Sequence, residues 1–512
     1  MEKSVAELKD LSFLYGLTMV IPFIGLMINS IFYRKNPSKG ALLSTLFIWG
    51  GLFLSALSLT IAVLTTSQAS LWGLKLDGLS LTMNMLIFFV SAIVHQFSRR
   101  YLSGDSVYRR YFLLLTSITL SASIMVCADN LLILWAAWTT SNLLLVFLMV
   151  HKKAWKAAKN SGRLALKSLS LGSLTLFASF IFLYKETGSL SVDFINNHSM
   201  ISQSPWLIPI ILLITMTALI QSAQWPFHAW LTSSLNSPTP VSALMHAGLV
   251  NGGGFIIVRF SPLFLSAPLI LTVIFTVGVV TAIAGTSWKL LQTDIKRMLA
   301  CSTMAQMGFM MMQCGLGLFP AAIAHLCWHG LFKSFLFLNA GSAVESKRIV
   351  CQKPTRDLPS FLLACLAGSL GAYCFAIVSE KTIFTLQPTT FLVGFAFISG
   401  AQFAYTLLRN GNVIKRLIPV FILVAVAGIF YGETIHFIES FLPGFSAKVG
   451  PSLSLFNIAV FVLFFILWLG MSLNSMRRFE TTRIWAKIYM RLLNGSQPHP
   501  STITTSRNSY QS

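Results

Sequence analysis

Gln221-Ser-Ala-Gln-Trp-Pro-Phe-His-Ala-Trp-Leu231, followed by Asn236-Ser-Pro-Thr-Pro-Val-Ser-Ala-Leu-Met-His-Ala247, interrupts an otherwise apolar part of the chain. The stretch places Pro226, Pro238 and Pro240 beside His228, His246 and the amides of Gln221 and Gln224. Proline removes a backbone donor and disturbs the turn before it. Hydrocarbon has no water to satisfy the freed groups, so such a break survives only where protein buries it or where it lines a wet cavity. The sequence therefore predicts a helix ending near Gln221–Gln224, a non-helical step through Ser222 and Pro226, and a second half-helix to Leu235. A polar path inside a bilayer follows, and with it ion conduction or transport.

The rest of the chain agrees. It has 512 residues, of which 55% are hydrophobic and 10% charged, and its mean hydropathy is +0.73. Soluble domains average about 25% charged residues. The fold class is thus an all-α polytopic membrane protein with about 14–15 transmembrane helices. Fifteen spans are read at 11–32, 41–64, 77–97, 111–128, 130–150, 164–184, 205–235 (broken), 239–260, 263–288, 297–318, 320–341, 359–385 (broken), 390–408, 417–438 and 453–475. Each can cross ~30 Å of hydrocarbon at ~1.5 Å per residue.

The net charge of +22 does not indicate nucleic acid. Most Lys and Arg fall in the loops after odd-numbered spans, such as Arg34–Lys39, Arg99–Arg110 and Lys152–Lys167, and in the tail. The positive-inside rule then puts the N-terminus outside and the C-terminus in the cytoplasm, with anionic membrane lipid as the partner of the charge. The leading segment mixes signs and lacks a cleavage pattern, so it is not read as a signal peptide. The seven cysteines form no C-x-x-C pair and read as small apolar residues. The tail from 476 is basic, then Ser/Thr-rich, and is expected to be interfacial and partly disordered.

Three further regions are polar. His325, His329 and Lys333 in the eleventh span recur at i, i+4 and i+8. Each step turns only ~40° and rises ~6 Å, so the three share one helix face. A Lys at mid-bilayer costs ~2.5–3.5 kcal/mol on insertion scales and does not face lipid without reason. Histidine titrates near neutral pH and relays protons through its two nitrogens. The twelfth span carries Gly368 and Gly371, then Ser379-Glu-Lys381. This second interruption suggests two inverted repeats around a central site. Glu380 and Lys381 form either the outward end of the path or ordinary interfacial charges. The third region is the basic loop Thr293-Asp-Ile-Lys-Arg297. No nucleotide-binding glycine loop, nucleophile elbow or metal-ligand spacing is present, and Gly252-Gly-Gly254 reads as a helix-packing motif. The chain is expected to be no enzyme and to hold no cofactor or metal of its own.

Ser222-Ala-Gln-Trp-Pro-Phe-His228, Ser237-Pro-Thr-Pro-Val-Ser-Ala-Leu-Met-His-Ala247, Thr293–Thr303 and His325–Leu338 resemble the antiporter-like proton-translocating subunits. That superfamily includes the large membrane-arm subunits of NADH:quinone oxidoreductase and the Mrp sodium/proton antiporters, and the likeness spans roughly 70–430. Ser233–Pro240 and Ala247–Phe255 look most like its DabB branch, from inorganic-carbon transporters. The resemblance implies a multi-pass protein of the bacterial inner (cytoplasmic) membrane. It implies a large soluble DabA-like partner that is similar to a carbonic anhydrase and holds zinc. It implies His246 as relay of the first half-channel, His325, His329 and Lys333 in the second, Glu380 or Lys381 at the family's broken-helix lysine, and Lys296 at a cytoplasmic-side lysine. The expected domains are transmembrane helices at 1–110, antiporter-like repeats at 111–260 and 261–410, transmembrane helices at 411–475, and a tail at 476–512.

Two positions depart from the family. Gln221 stands where the family has a lysine, and Thr139, after Trp138, where it has a glutamate. Loss of both charges leaves no unpaired buried ion, and favours a path mainly through the second half, from the outer face past Lys333, His329 and His325. Three functions remain open: a proton- or sodium-conducting subunit of a CO2/bicarbonate uptake complex, a pumping subunit of a respiratory or Mrp-type machine, and a non-conducting anchor for a soluble enzyme. Partner-surface candidates are the loops 152–163 and 345–357.

Overall fold

The computed structural model describes residues 2–31, 35–65, 68–344, 358–382, 387–409, 413–440, 453–473 and 481–503. The helices are α1 Glu2–Ile31, α2 Pro37–Thr65, α3 Gly78–Tyr101, α4 Tyr108–Cys127, α5 Leu131–Met149, α6 Lys156–Thr187, α7 Val192–Asn197, α8 Leu207–Gln221, α9 Ala229–Thr232, α10 Thr239–Ala247, α11 Gly252–Arg259, α12 Ser261–Leu265, α13 Pro268–Leu291, α14 Ile295–Gly315, α15 Phe319–Leu338, α16 Leu358–Val378, α17 Pro388–Arg409, α18 Val413–Ser440, α19 Leu455–Ser472 and α20 Arg483–Gly495. Among the described residues the one sheet is the hairpin β1 Ala69–Leu71 and β2 Leu74–Leu76. The all-α polytopic reading holds.

Among the described residues thirteen helices are long and apolar enough to cross a membrane. The fifteen-residue α8 and the polar, Met-rich α14 complete the spans expected from sequence. Large apolar side chains such as Phe53 (69% exposed) and Leu174 (64% exposed) point outward from these helices. That is the surface a hydrocarbon solvent requires. Helix starts follow local chemistry. Asp77 caps α3 in a capping box with Ser80, and the Asn130 side chain accepts from the amides of Leu132 and Ile133 at the start of α5.

The chain divides into two compact units. The first comprises Met1–Gly315, His325–Val344 and Ser496–Ser512, and the second Leu316–Ala324 and Glu345–Gly495. In the second unit Phe361, Ala364, Ala401, Tyr405, Val424 and Trp468 form a core where α16, α17, α18 and α19 meet.

The breaks are more exact than the sequence predicts. After α8, the amide of Ser222 bonds Ala218 O, that of Ala223 bonds Ile220 O, and that of Gln224 reaches back to Leu219 O. After α16, Ser379, Glu380 and Lys381 repeat the pattern onto Phe375, Ile377 and Ala376. The middle residue has positive φ in both, +49° at Ala223 and +54° at Glu380. This six-to-one closure is a Schellman-type helix end, here without glycine at the left-handed position. The second break therefore lies at Ser379–Lys381. Gly368 and Gly371 sit inside an unbroken α16, because they serve packing and leave the hydrogen-bond ladder intact.

One interruption escapes the sequence reading. The eighth span is expected to be continuous over 239–260, yet it is α10, a 3-10 turn at Leu249–Asn251, and α11. The tail also contains more structure than expected. Its helix α20 puts Arg483, Lys487 and Arg491 on one side and Ile484, Ile488, Tyr489 and Leu492 on the other. An interfacial segment has this pattern. Residues 474–480, 504–512 and the partner-surface candidate 345–357 lie outside the described residues.

Candidate functional site

The first unit brings the break after α8 against the 3-10 turn between α10 and α11. Leu249 O accepts from the Gly252 amide within the turn, and side chains from the break add to the bonds of its carbonyls. Gln221 Nε2 donates to Leu249 O at 3.1 Å, and Ser222 Oγ to Val250 O at 2.7 Å. The backbones approach closely here because of Gly253. A Cβ on it would lie 2.3 Å from both Ala218 O and Ser222 Oγ, so the glycine run is the packing motif its sequence suggests.

Gln221 has a second partner, Asn142 of α5. Gln221 Nε2 donates to Asn142 Oδ1 at 3.1 Å, and Asn142 Nδ2 donates to Gln221 Oε1 at 3.2 Å. Both amide hydrogens of Gln221 are thereby used. Thr139 does not take part, and its buried Oγ1 has no partner among the described residues. Sequence reasoning missed Asn142, although an Asn one turn beyond Trp138 in an apolar span was a visible signal.

The remaining break residues line the step itself. Gln224 is fully buried, and its Nε2 donates to Ser222 O at 2.9 Å. The Trp225–Pro226 peptide is cis. His228 lays its ring against Trp288, with centroids 4.8 Å apart, and its Nδ1 has no partner among the described residues.

The stripe on α15 closes on α10. His325 and His329 stack with centroids 5.9 Å apart. His329 Nε2 lies 3.2 Å from the backbone oxygen of His246. His246 stacks on Phe337 at 4.4 Å and 16°. Lys333 is wholly buried, and its Nζ donates to Leu299 O at 3.3 Å. Gly330 permits this approach, since a Cβ there would lie 2.8 Å from Ala247 O. The buried His246 Nδ1 and His325 Nε2 have no hydrogen-bond partner among the described protein atoms. Buried polar groups are nearly always satisfied, so these two nitrogens are exceptions within the site.

Lys296, near the start of α14, donates to Ser237 O at 3.2 Å, one turn before Leu299. The order along this side is thus His325, His329 beside His246, Lys333 on Leu299, and Lys296. In the second unit Glu380 is exposed. Lys381 contacts both carboxylate oxygens of Glu439 at 2.7 Å, a partner the sequence did not indicate. Among the described residues no group of three His, Cys, Asp or Glu side chains is placed to hold a metal ion.

These features define a class of membrane subunit. The profile described as "NADH:quinone oxidoreductase/Mrp antiporter, TM" matches residues 128–361, and that of the complex I chain 5 N-terminus matches 66–112. The chain is 36% identical over 408 residues to the probable inorganic carbon transporter subunit DabB1 of Halothiobacillus neapolitanus, covering 73% of this chain and 72% of that protein. It is 40% identical over 315 residues to the probable inorganic carbon transporter subunit DabB of Bacillus subtilis, covering 60% of this chain and 61% of that protein. A subunit in the Mrp complex of Dietzia sp. shares the fold, with a TM-score of 0.62 at 22% identity over 94% of this chain and 59% of its own length. The chain belongs to the antiporter-like family of membrane subunits, in the branch whose members are named DabB.

Proposed function

We propose that this chain is the proton-conducting membrane subunit of an energy-coupled inorganic-carbon uptake complex in a bacterial inner membrane. Its N-terminus is outside and its C-terminus cytoplasmic. It works with a large soluble DabA-like subunit that holds zinc and interconverts CO2 and bicarbonate, and it supplies no catalytic site of its own. Proton flow through the membrane subunit biases that partner toward uptake.

One observation carries the reading. His325, His329 and Lys333 share one face of α15, His329 meets the backbone of His246 inside the first unit, and the buried His246 Nδ1 and His325 Nε2 have no partner among the described protein atoms. α15 runs toward the basic loop at 347–356, so its direction reverses the order expected from sequence. A proton from the outer face meets His325 first, then His329 and His246, then Lys333, and leaves past Leu299 and Lys296. Steps of ~6 Å along α15 need bridging water. The neutral Gln221–Asn142 pair argues against a charge-switching pump in the first half. It thereby weighs against a respiratory or Mrp-type pumping role.

The test is uptake of labelled bicarbonate by cells carrying the complete complex. Uptake should collapse with an uncoupler, and should collapse in Lys333→Ala although the complex still assembles. Uptake that ignores the uncoupler would make the chain a passive anchor. Co-purification with quinone-reducing subunits, or sodium-dependent proton exchange, would move it to the pumping class.

A further inference from the structure

α3 carries a second polar line that the pathway above does not use. Ser80, Asn84, Ser91, His95 and Ser98 recur on its buried side, in line with the N-cap Asp77. From Asp77 to Ser98 the helix rises ~31 Å at 1.5 Å per residue. That is the thickness of the hydrocarbon core, ~30 Å.

α4 answers this line rung by rung. Ser123 Oγ bonds Asn84 Oδ1. Ser91 Oγ meets Thr119 Oγ1 at 2.6 Å, His95 Nε2 meets Thr116 Oγ1 at 3.2 Å, and Ser98 Oγ meets Tyr111 OH at 2.9 Å. Both ends finish on ionisable pairs. Arg259 Nη1 binds Asp77 Oδ2 at 2.6 Å at one end, and His151 Nε2 lies 3.0 Å from Asp105 Oδ2 at the other.

Packing alone explains some of this. Serine and threonine in membrane helices bond back to their own turn and to neighbouring helices. It does not explain His95, which is wholly buried. Its Nδ1 sits 2.8 Å from Ser91 O, a carbonyl that can only accept. Nε2 faces the Thr116 hydroxyl, which lies 2.9 Å from Phe112 O. The hydroxyl has one hydrogen. When it donates to Phe112 O, each His95 nitrogen has an acceptor beside it, with Ser91 Oγ also 3.1 Å from Nδ1, so the ring can take a second proton. When it turns to Nε2, the ring is neutral. One hydroxyl rotation thus switches His95 between a geometry that accepts a proton from the file and one that favours the neutral ring, without moving the backbone.

The line has one apolar interruption. Phe88, fully buried between Asn84 and Ser91, packs with Ile48 and Ala92. A Cβ on Gly51 of α2 would lie 2.5 Å from its Cε1. Next to this gap the buried Asn84 Nδ2 has no partner among the described residues.

We propose that α3 and α4 form a second transmembrane proton file, with His95 as its mid-membrane proton site and Phe88 as its constriction. The proposal rests on the reading of this chain as a proton-conducting subunit, but uses none of that pathway's residues.

The test is proton flux into liposomes containing the full chain with its native partners, followed by a pH-sensitive dye and normalised to folded protein. His95→Gln keeps hydrogen-bonding capacity but cannot titrate. It should remove a smaller share of the flux than Lys333→Ala does, and Lys333→Ala should leave a remainder that His95→Gln then removes. Phe88→Ala should raise flux several-fold, and only while His95 is present. Unchanged flux in both His95→Gln and Phe88→Ala overturns the file. If Lys333→Ala still lowers flux, the first pathway survives that result. Flux sensitive to His95 but indifferent to Lys333 keeps the file and removes the first pathway. No flux above empty liposomes in the unaltered complex removes both.

Discussion

Gln221 and Asn142 hold each other by two side-chain hydrogen bonds, at 3.1 and 3.2 Å, across α8 and α5. Gln221 stands where the family resemblance leads one to expect a lysine, and its neutral partner Asn142 lies one turn beyond Thr139, the position of the expected glutamate. Gln221 is also tied to Leu249 O, so it is a structural clamp at the break.

Gln221→Ala should strand the Asn142 amide, while Leu249 O keeps the Gly252 amide. Leaving buried polar groups unpaired costs ~1–3 kcal/mol, read as a lowered melting temperature of the purified complex. Gln221→Lys alone should be worse, because a lone buried charge costs ~3–5 kcal/mol when its partner is missing. Adding Asn142→Glu should recover much of the loss. A double variant no more stable than Gln221→Lys would contradict the pairing.

Gly330→Ala should force α15 away from α10, since the added carbon meets Ala247 O at 2.8 Å. Overpacking of this kind costs ~1–3 kcal/mol. Proton flux should fall along with stability, because the same contact sets His329 against His246. Wild-type melting and flux together would show that the helices can separate without effect.

Asp105 gives a pH signature outside the spans. Burial pushes its carboxyl up, but the His151 hydrogen bond, the Val107 amide and nearby Lys152 outweigh it and hold it below the usual carboxylate range. A depressed carboxylate stabilises the fold above its unfolded pKa of ~3.9 and loses that contribution as pH falls through the folded value. The contribution of such a pair is ~0.2–1 kcal/mol. Melting temperature should therefore fall more steeply below that range in the native protein than in Asp105→Asn. Identical acid profiles would exclude the contribution.

The segment after α20 is fastened to the first unit. Asn160 Nδ2 donates to Ser501 O at 2.7 Å, Asn236 Nδ2 to Thr502 O at 3.0 Å, and the His499 amide to Ser233 Oγ at 2.9 Å. Asn236→Ala combined with Asn160→Ala should raise hydrogen exchange at residues 499–503 while α3 and α4 stay protected. Unchanged exchange in that segment would mean that other contacts hold it.

Much of this was legible in the sequence, for reasons that can be named. Hydropathy and charge alternation mark the spans because a bilayer imposes length and sidedness. Pro226 marks the first break because proline acts locally, and the i, i+4, i+8 spacing marks the α15 stripe because helix geometry is regular. The 3-10 turn at Leu249–Asn251 was hidden, since Gln221 and Ser222 stabilise it from another helix. Asn142, Glu439 and the Phe337 stack beneath His246 were hidden for the same reason. The exact place of the second break within 359–385 is not legible, because Gly368 and Gly371 are general signals whereas the six-to-one closure at Ser379–Lys381 has no glycine at its turn. The His95 line was overlooked because single serines and threonines in apolar helices look ordinary until α4 is laid beside α3.

The most direct test of the central claim is proton flux through the reconstituted complex with Lys333 intact and with Lys333→Ala. Lys333→Ala should remove most of the flux while the complex assembles and melts as before. Full flux in a well-folded Lys333→Ala complex would contradict it.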